Sequence, residues 1–501
     1  MKPFLSFLLA AALVLSLTAC GPGAVSSSSS PDASGSSWEQ PPVDVPFSLA
    51  VYSSYSLHPV LAENRANLML SPLLYEPLFQ LNDLFEPVPV LCSRYSSSED
   101  LLTWSFTLQS GITFSDGTPL TGALAAEALN LARQPESRYA QRLRNVSSIT
   151  GDETSVTITL TSPNGNLPAL LDIPLALGTG EHPSGTGPYL LSGQGDALSL
   201  VVRSDWWQKK PLPLAEIPLI PVDQSDDLIS SFASGATGLV EVDLMGTNAL
   251  GYSGNYQTWD YATTDLLYLG FNTQKGLCQN PSFRQAAAKA IDRSSIVQTD
   301  FARHAVEATL PIHPDSPLSS DTLNQVLEYA PEEAVSQLDS LRAAGRSLIL
   351  VVNSENTAKV AAAQRIAYQL ESAGLKIVLS KLSFEDYTAA LSAGNFDLYL
   401  GEVVLTADFD LSPLLSSTGS LNYGRWQDTQ TDLLLSGLLR GENSAARKAA
   451  ASALLVHLTE QVPIAPICFK HGSVLTQWGQ LSGLEPIRGN VFYHLDRWII
   501  E

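Results

Sequence analysis

The sequence predicts an α/β protein made of two unlike parts, and three observations predict it. Residues 280–460 alternate strand-like and helix-like segments. Residues 48–203 read as short strands with a few helices. After residue 460 the composition turns strand-like again. Strands alternating with helices argue for βαβ units on a mainly parallel sheet. A late return to the first part needs more than one crossing between parts, which is the covalent layout of a hinge. At 501 residues the chain has room for about three domains, or two large ones.

The elements follow in chain order. Lys2 precedes the apolar run Phe4 to Leu17, interrupted only by Ser6 and Ser16. That run is too short to span a bilayer comfortably and matches a signal-peptide core. It ends in Leu17-Thr18-Ala19-Cys20. Small residues before a cysteine resemble the lipobox of bacterial lipoproteins, which implies cleavage of residues 1–19 and acylation of Cys20. Two or three acyl chains anchor stably where one does not. Residues 20–47 then read as a tether rich in Ser, Gly and Pro, with almost no apolar content to fold around.

Thr103 to Leu108 alternates polar and apolar residues, a half-buried strand. Ser115-Asp116-Gly117-Thr118 is a turn, and Thr121 to Arg133 has helical composition. Asn145 to Thr161 reads as a hairpin around Gly151-Asp152-Glu153-Thr154. Asn280 and Pro281 open a helix as N-cap and first residue. Leu348 to Val352 is a strand, Thr357 to Ala373 a helix stopped by Gly374, and Leu375 to Leu382 a second strand. Phe384 to Ser392 is a second helix and Phe396 to Leu400 a third strand. Pro463 to Ile467 and Val491 to Tyr493 look like strands returning to the first part.

Composition excludes several classes. Twenty-eight Lys and Arg against 50 Asp and Glu give a net charge of −22, a poor fit for coating a phosphate backbone, so no nucleic-acid partner is expected. Four cysteines cannot make a disulfide scaffold. With Cys20 lipidated, Cys92, Cys278 and Cys468 read as small buried hydrophobes. No G-x-S-x-G, P-loop or H-E-x-x-H is present, and Gly185-Thr186-Gly187-Pro188 lacks the third glycine of a dinucleotide loop. The seven histidines have no metal-like spacing, so neither an enzyme nor a resident cofactor or metal is expected. In parallel sheets ligands sit beyond the carboxyl ends of strands. The segment after Phe396 to Leu400, Thr406-Ala407-Asp408-Phe409-Asp410, is therefore the candidate site. Asp408 and Asp410 fit a solvated loop acid, a helix N-cap, or a carboxylate on a cleft floor facing a ligand's amine.

Several stretches in register resemble the extracellular solute-binding proteins of the dipeptide, oligopeptide and nickel class. They are Leu73-Leu74-Tyr75-Glu76-Pro77-Leu78-Phe79, Thr103 to Leu108 with Gly111 to Thr121, Gly185-Thr186-Gly187-Pro188-Tyr189, Leu269-Gly270-Phe271-Asn272-Thr273, Phe283-Arg284-Gln285-Ala286 and Gln461 to Pro466. The resemblance implies a two-lobed, hinge-bending fold of the periplasmic-binding-protein type II, with an extra subdomain in the first lobe. The first lobe would be 48–268 with 468–501, the second 271–465, and the crossings near 268–272 and 466–469. It implies short peptides as ligand, permease subunits of an ABC importer as partners, a monomer, and a lipid-anchored place on the outer face of the cell membrane. The same fold could take a nickel-chelate, haem or another small solute, or serve as a peptide-sensing receptor without import. By position Asp408 takes the role of the aspartate that pairs with a peptide's amino terminus, with Thr406, Phe409 and Asp410 around it. Tyr75 and Glu76 fall where relatives bring groups to the cleft. The family's tryptophan and proline near that aspartate are absent here, and the residue for the ligand carboxylate has no assigned position.

Overall fold

A computed structural model describes residues 47–501, so Cys20, the leader 1–19 and the tether up to residue 46 lie outside the described residues. No described helix is long and apolar enough to cross a membrane.

The first lobe holds two four-stranded sheets. In one, Leu49–Tyr52 runs parallel to Glu216–Val222, which continues antiparallel through Ser199–Val202 and Tyr189–Ser192. In the other, Cys92–Ser97, Thr103–Leu108, Ser155–Leu160 and Val146–Gly151 form an antiparallel sheet in that order. Thr103–Leu108 buries Trp104, Phe106 and Leu108 on one face, as its alternation requires. Thr121 caps the helix Gly122–Ala132, accepting from the Leu124 N–H, and that helix covers the sheet's apolar face. This unit forms a core of its own and is the extra subdomain. Gly185 and Gly187 pass so close to the backbone of Leu73 and Leu74 that a Cβ on either would overlap carbonyl atoms. This contact fixes the path of Tyr75 and Glu76.

The second lobe is organised on a seven-stranded sheet. Ser347–Asn353 lies parallel to both Lys376–Leu382 and Leu398–Val404, joined by the helices Thr357–Ser372 and Phe384–Ala393. The expected βαβ units are thus present, but the sheet is mixed rather than mainly parallel. Its other half is antiparallel, because two long strands, Tyr256–Phe271 and Ile464–Gln477, dominate it. Asn280 caps the helix Pro281–Lys289 and accepts from the Ser282 N–H. Val491 to Tyr493 is a turn, not a strand: the Asn490 side chain accepts from the Phe492 N–H and bends the chain there. Cys92, Cys278 and Cys468 are buried free thiols.

The two long strands carry the crossings. Trp259 and Tyr261 pack on a first-lobe core with Val474, whereas Leu267, Leu269, Ala465 and Ile467 belong to the second-lobe core. Between them the register slips from Ala262 opposite His471 to Leu266 opposite Phe469. A bulge loosens the ladder and bends the strand locally. The core changes hands at 262–266 and 469–471, a few residues before the expected 268–272 and after the expected 466–469.

Candidate ligand-binding site

Strand Leu398–Val404 ends on the bulge. Leu405 donates its N–H to the Thr264 carbonyl at 2.9 Å, and the Thr264 hydroxyl donates back to the Leu405 carbonyl at 2.5 Å. The chain then turns through Thr406 to Phe409, with Phe409 in the left-handed region at φ 53° and fully buried. This turn aims Asp408 and Asp410 at the first lobe.

Asp408 is 4% exposed and accepts three hydrogen bonds. Its Oδ1 takes the Thr406 hydroxyl at 2.6 Å and the Asp410 N–H at 3.3 Å, and its Oδ2 takes the Asn164 amide of the first lobe at 2.9 Å. Asn164 is oriented by the Asn166 N–H, which donates to its Oδ1 at 2.8 Å and turns the NH2 group toward Asp408. Asp410 pairs with Arg144, also of the first lobe, and accepts the Ser412 N–H at the start of the next helical turn. Among the described residues no Lys, Arg or His reaches Asp408 within 4 Å. Burial, then the Asp410 charge, push its carboxyl above the ordinary range. The void beside Asp408 and Asp410, also lined by Thr406, Asn164, Arg142 and Arg144, is about 20 Å³. That is room for one water-sized head group.

More contacts join the lobes here. The hairpin tip Asn82–Glu86 carries Phe85 at φ 64° into the second lobe. There it meets Phe409 edge-on at 5.5 Å and His313 at 4.9 Å, and His313 in turn lies 4.9 Å from Phe469. A bulky residue in the left-handed region costs energy that the surrounding contacts must offset. Gly165 donates its N–H to the Leu439 carbonyl at 2.7 Å, and Arg447 donates to the Gly165 carbonyl at 3.3 Å.

A cavity of about 670 Å³ lies over the crossings. Its floor is Thr263–Asp265, Lys470–Gly472 and Val404, and its walls are first-lobe residues around Arg65, Tyr139 and Arg488. On the floor Lys470 is buried among Glu402 at 2.9 Å, Asp265 at 3.1 Å and Asp243 at 3.4 Å. Burial and the Glu402 charge push Asp265 up to about 7, and its Oδ1 has no hydrogen-bond partner among the described residues. Arg142 lines both this cavity and the small void at Asp408.

The structure brings Thr406, Asp408, Phe409 and Asp410 together and keeps Tyr75 and Glu76 apart from them. The Glu76 carboxylate accepts from Trp207 at 2.7 Å, Gln208 at 2.8 Å and Trp206 at 3.3 Å inside the first lobe. The Tyr75 hydroxyl donates to the Pro183 carbonyl at 3.1 Å. Both residues line a separate first-lobe cavity of about 370 Å³. Asn164, Arg144 and Phe85, which meet the Asp408 segment, carry no local sequence signal beyond turn composition.

Comparisons with known proteins add three kinds of finding. The family described as "Bacterial extracellular solute-binding proteins, family 5 Middle" matches residues 86–423. The glutathione-binding protein GsiB of Salmonella paratyphi A is 26% identical over 418 residues, covering 77% of this chain and 80% of GsiB. Two solved structures share the fold. HbpA2 of Haemophilus parasuis has a TM-score of 0.75 at 20% identity, with 90% of this chain and 99% of that one covered. A putative peptide-binding protein AppA of Clostridium difficile has a TM-score of 0.73 at 16% identity, with 91% and 100% covered.

Proposed function

Because this chain belongs to the bacterial extracellular solute-binding proteins of family 5, we propose that it captures short peptides between its lobes and delivers them to the permease of an ABC importer, with no chemistry of its own. The ligand selects the closed arrangement and so reports its presence to the permease. Family relatives named for glutathione and for peptides support this ligand class.

One observation carries the reading. Asp408 is an enclosed carboxylate, facing the other lobe, with hydrogen-bond donors but, among the described residues, no cation within 4 Å. A buried charge is costly unless paired, so the site favours an incoming cation. A peptide's terminal ammonium fits the one-water void and would take over from the Asn164 amide. Thr406 and Asp410 hold Asp408 in place, and Phe409 with Phe85 excludes water behind it. The test is a thermal-shift screen of di- to pentapeptide mixtures, free and amino-acetylated. A ligand at 100 times its Kd stabilises by about 2.7 kcal/mol. A shift with free peptides that acetylation abolishes supports the reading; equal shifts, or none, overturn it.

Anchoring is part of the same proposal. The run Phe4–Leu17 followed by Cys20 supports an acylated cysteine holding the lobes at the outer face of the membrane. Metabolic labelling with palmitate, lost in Cys20→Ala, is the expected result; unchanged labelling would remove Cys20 from this role.

A further inference from the structure

Asp260, His304 and His471 meet where the chain crosses between the lobes. Asp260 lies on Tyr256–Phe271 between Trp259 and Tyr261, which pack on a first-lobe core. His304 precedes the short strand Ala305–Glu307, whose Ala305 and Val306 pack on second-lobe cores. Ile464–Gln477 runs between them, pairs with both strands, and carries His471 and Ser473. Across this strand the His304 Nδ1 meets both Asp260 oxygens, at 2.9 and 3.1 Å. The Ser473 hydroxyl donates to Asp260 at 2.6 Å, whereas the His471 Nδ1 stands 3.7 Å off, beyond a hydrogen bond. That His471 nitrogen has no hydrogen-bond partner among the described residues.

The turn that delivers His304 is strained. Ala302 and Arg303, neither of them glycine, sit in the left-handed region at φ 48° and 72°. Backbone bonds pin the turn: Arg303 donates to the Val297 carbonyl at 2.9 Å, His304 to the Phe301 carbonyl at 2.7 Å, and the His304 carbonyl accepts from His471 at 3.0 Å. Strain of this kind persists where surrounding contacts over-determine it. The Asp260 side chain is 28% exposed and that of His304 21%, so solvent protons reach the pair. Burial pushes the Asp260 carboxyl up, yet His304, His471 and Ser473 together hold it well below the ordinary carboxylate range. It therefore stays charged throughout the range in which histidines gain and lose their charge. Two further sets of charged groups lie near. His313 feels the His471 charge and, chiefly through burial, is lowered to about 4, so it stays neutral. Lys470, one residue before His471, faces the other side of the strand and is engaged there by Asp243, Asp265 and Glu402.

We propose that Asp260, His304 and His471 form a proton-operated latch across the lobe crossings, which favours the near arrangement of the lobes, with Asn164 on Asp408, as pH falls from about 8 to about 5. A neutral His304 ring already bonds Asp260. A second proton turns that bond into an ion pair, and charge-assisted hydrogen bonds are about twice as strong as neutral ones. Asp260 and His304 ride on different lobes, so a turn of one lobe against the other parts them. His471 stays beside Asp260 on the neighbouring strand, and Asp260 then keeps one histidine instead of two. A histidine that gains a carboxylate partner in one arrangement favours that arrangement below the histidine range and ceases to do so above it. The latch acts on the lobes whatever solute lies between them, and so goes beyond the peptide reading.

The test uses the full-length, ligand-free protein with fluorophores on Ser96→Cys in the first lobe and Gln364→Cys in the second, both at exposed positions. Single-molecule energy transfer then counts near and far lobe arrangements between about pH 5 and about pH 8. Partly exposed ion pairs are weak, so the ratio of near to far molecules in the otherwise wild-type protein rises about two- to fivefold at the acid end. His304→Gln and Asp260→Asn each flatten that rise, and the double variant is no flatter than either. Asp265 and His313 titrate in every variant, so the difference from wild type is the signal. Should Asp260→Asn lose its cooperative melt, His304→Gln, which alters a ring at the surface, is read alone. An equal pH response with and without His304, a response of opposite sign, or a single pH-independent distance in wild type overturns the latch.

Discussion

Replacing Asp408 by Asn separates binding from stability, because the two effects carry opposite signs. The amide keeps the size of the carboxylate and can keep one hydrogen bond to Thr406 or Asn164, but it cannot balance an ammonium. At an effective dielectric near 20, two charges 4 Å apart attract by about 4 kcal/mol. Displacing the Asn164 amide from Asp408 Oδ2 gives back about 1 kcal/mol. Asp408→Asn is therefore expected to weaken a zwitterionic peptide by about 3 kcal/mol, or roughly 100-fold. Stability moves the other way. Burial and Asp410 raise the Asp408 pKa in the folded, ligand-free protein. An acid with a raised folded pKa is best tolerated below its unfolded pKa, and its stability contribution is lost as pH rises through the folded value. Ligand-free wild type should therefore lose stability on going upward from about pH 4, and Asp408→Asn should lose less. Calorimetric titration with a peptide recovered from the native protein, and urea melts of ligand-free protein from pH 4 to 8, measure the two halves. Unchanged affinity, or a variant less stable than wild type at pH 7, would refute the reasoning.

Other expectations follow from the same contacts. Phe85→Ala removes the aromatic wedge that the first lobe drives between Phe409 and His313. Large-to-small changes of buried aromatics cost about 3–5 kcal/mol, and even half of that, charged to closure, lowers peptide affinity more than tenfold while the ligand-free urea midpoint hardly moves. An unchanged Kd would show that Phe85 is not a closure contact. Burial, then the neighbouring His471, lower His313 to about 4. A histidine with a depressed folded pKa withholds stability as pH falls from about 6.5 toward 4; His313→Asn, which can still accept the Asp315 N–H, should flatten that limb in urea melts. Arg284, fully buried, donates to the carbonyls of Cys278, Gln461 and Val462. Arg284→Met leaves these unpaired and should destabilise by about 3 kcal/mol or more, read as a lower urea midpoint with ligand affinity unchanged once folded.

Local pattern made much of the framework legible. Thr103–Leu108 alternates and is a strand with one buried face. Asn280-Pro281, Thr357 and Gly374 mark helix ends that the structure keeps within a residue or so. The segment 406–410 was findable because it leaves a strand that two βα units precede. Pairing between distant strands was not legible. The long strands Tyr256–Phe271 and Ile464–Gln477 turn a parallel arrangement into a mixed one, and their partners lie about 200 residues apart. The other half of the site was hidden for the same reason. Asn164 and Arg144 stand 244 and 266 residues from the acids they meet, and contacts between the lobes bring them together. Glu76 resembles a cleft acid in sequence, yet two tryptophans and a glutamine already satisfy it inside the first lobe. The turn at Asn490 looked like a strand because Val491-Phe492-Tyr493 has strand composition, while a single Asx bond decides its shape.

The most direct measurement is mass spectrometry of the small molecules released when natively purified full-length protein is denatured. Short peptides with a free amino group, recovered near one per chain from wild type and depleted from Asp408→Asn, are the predicted result. Recovery of a molecule lacking an amino group, in equal amounts from both proteins, would contradict it.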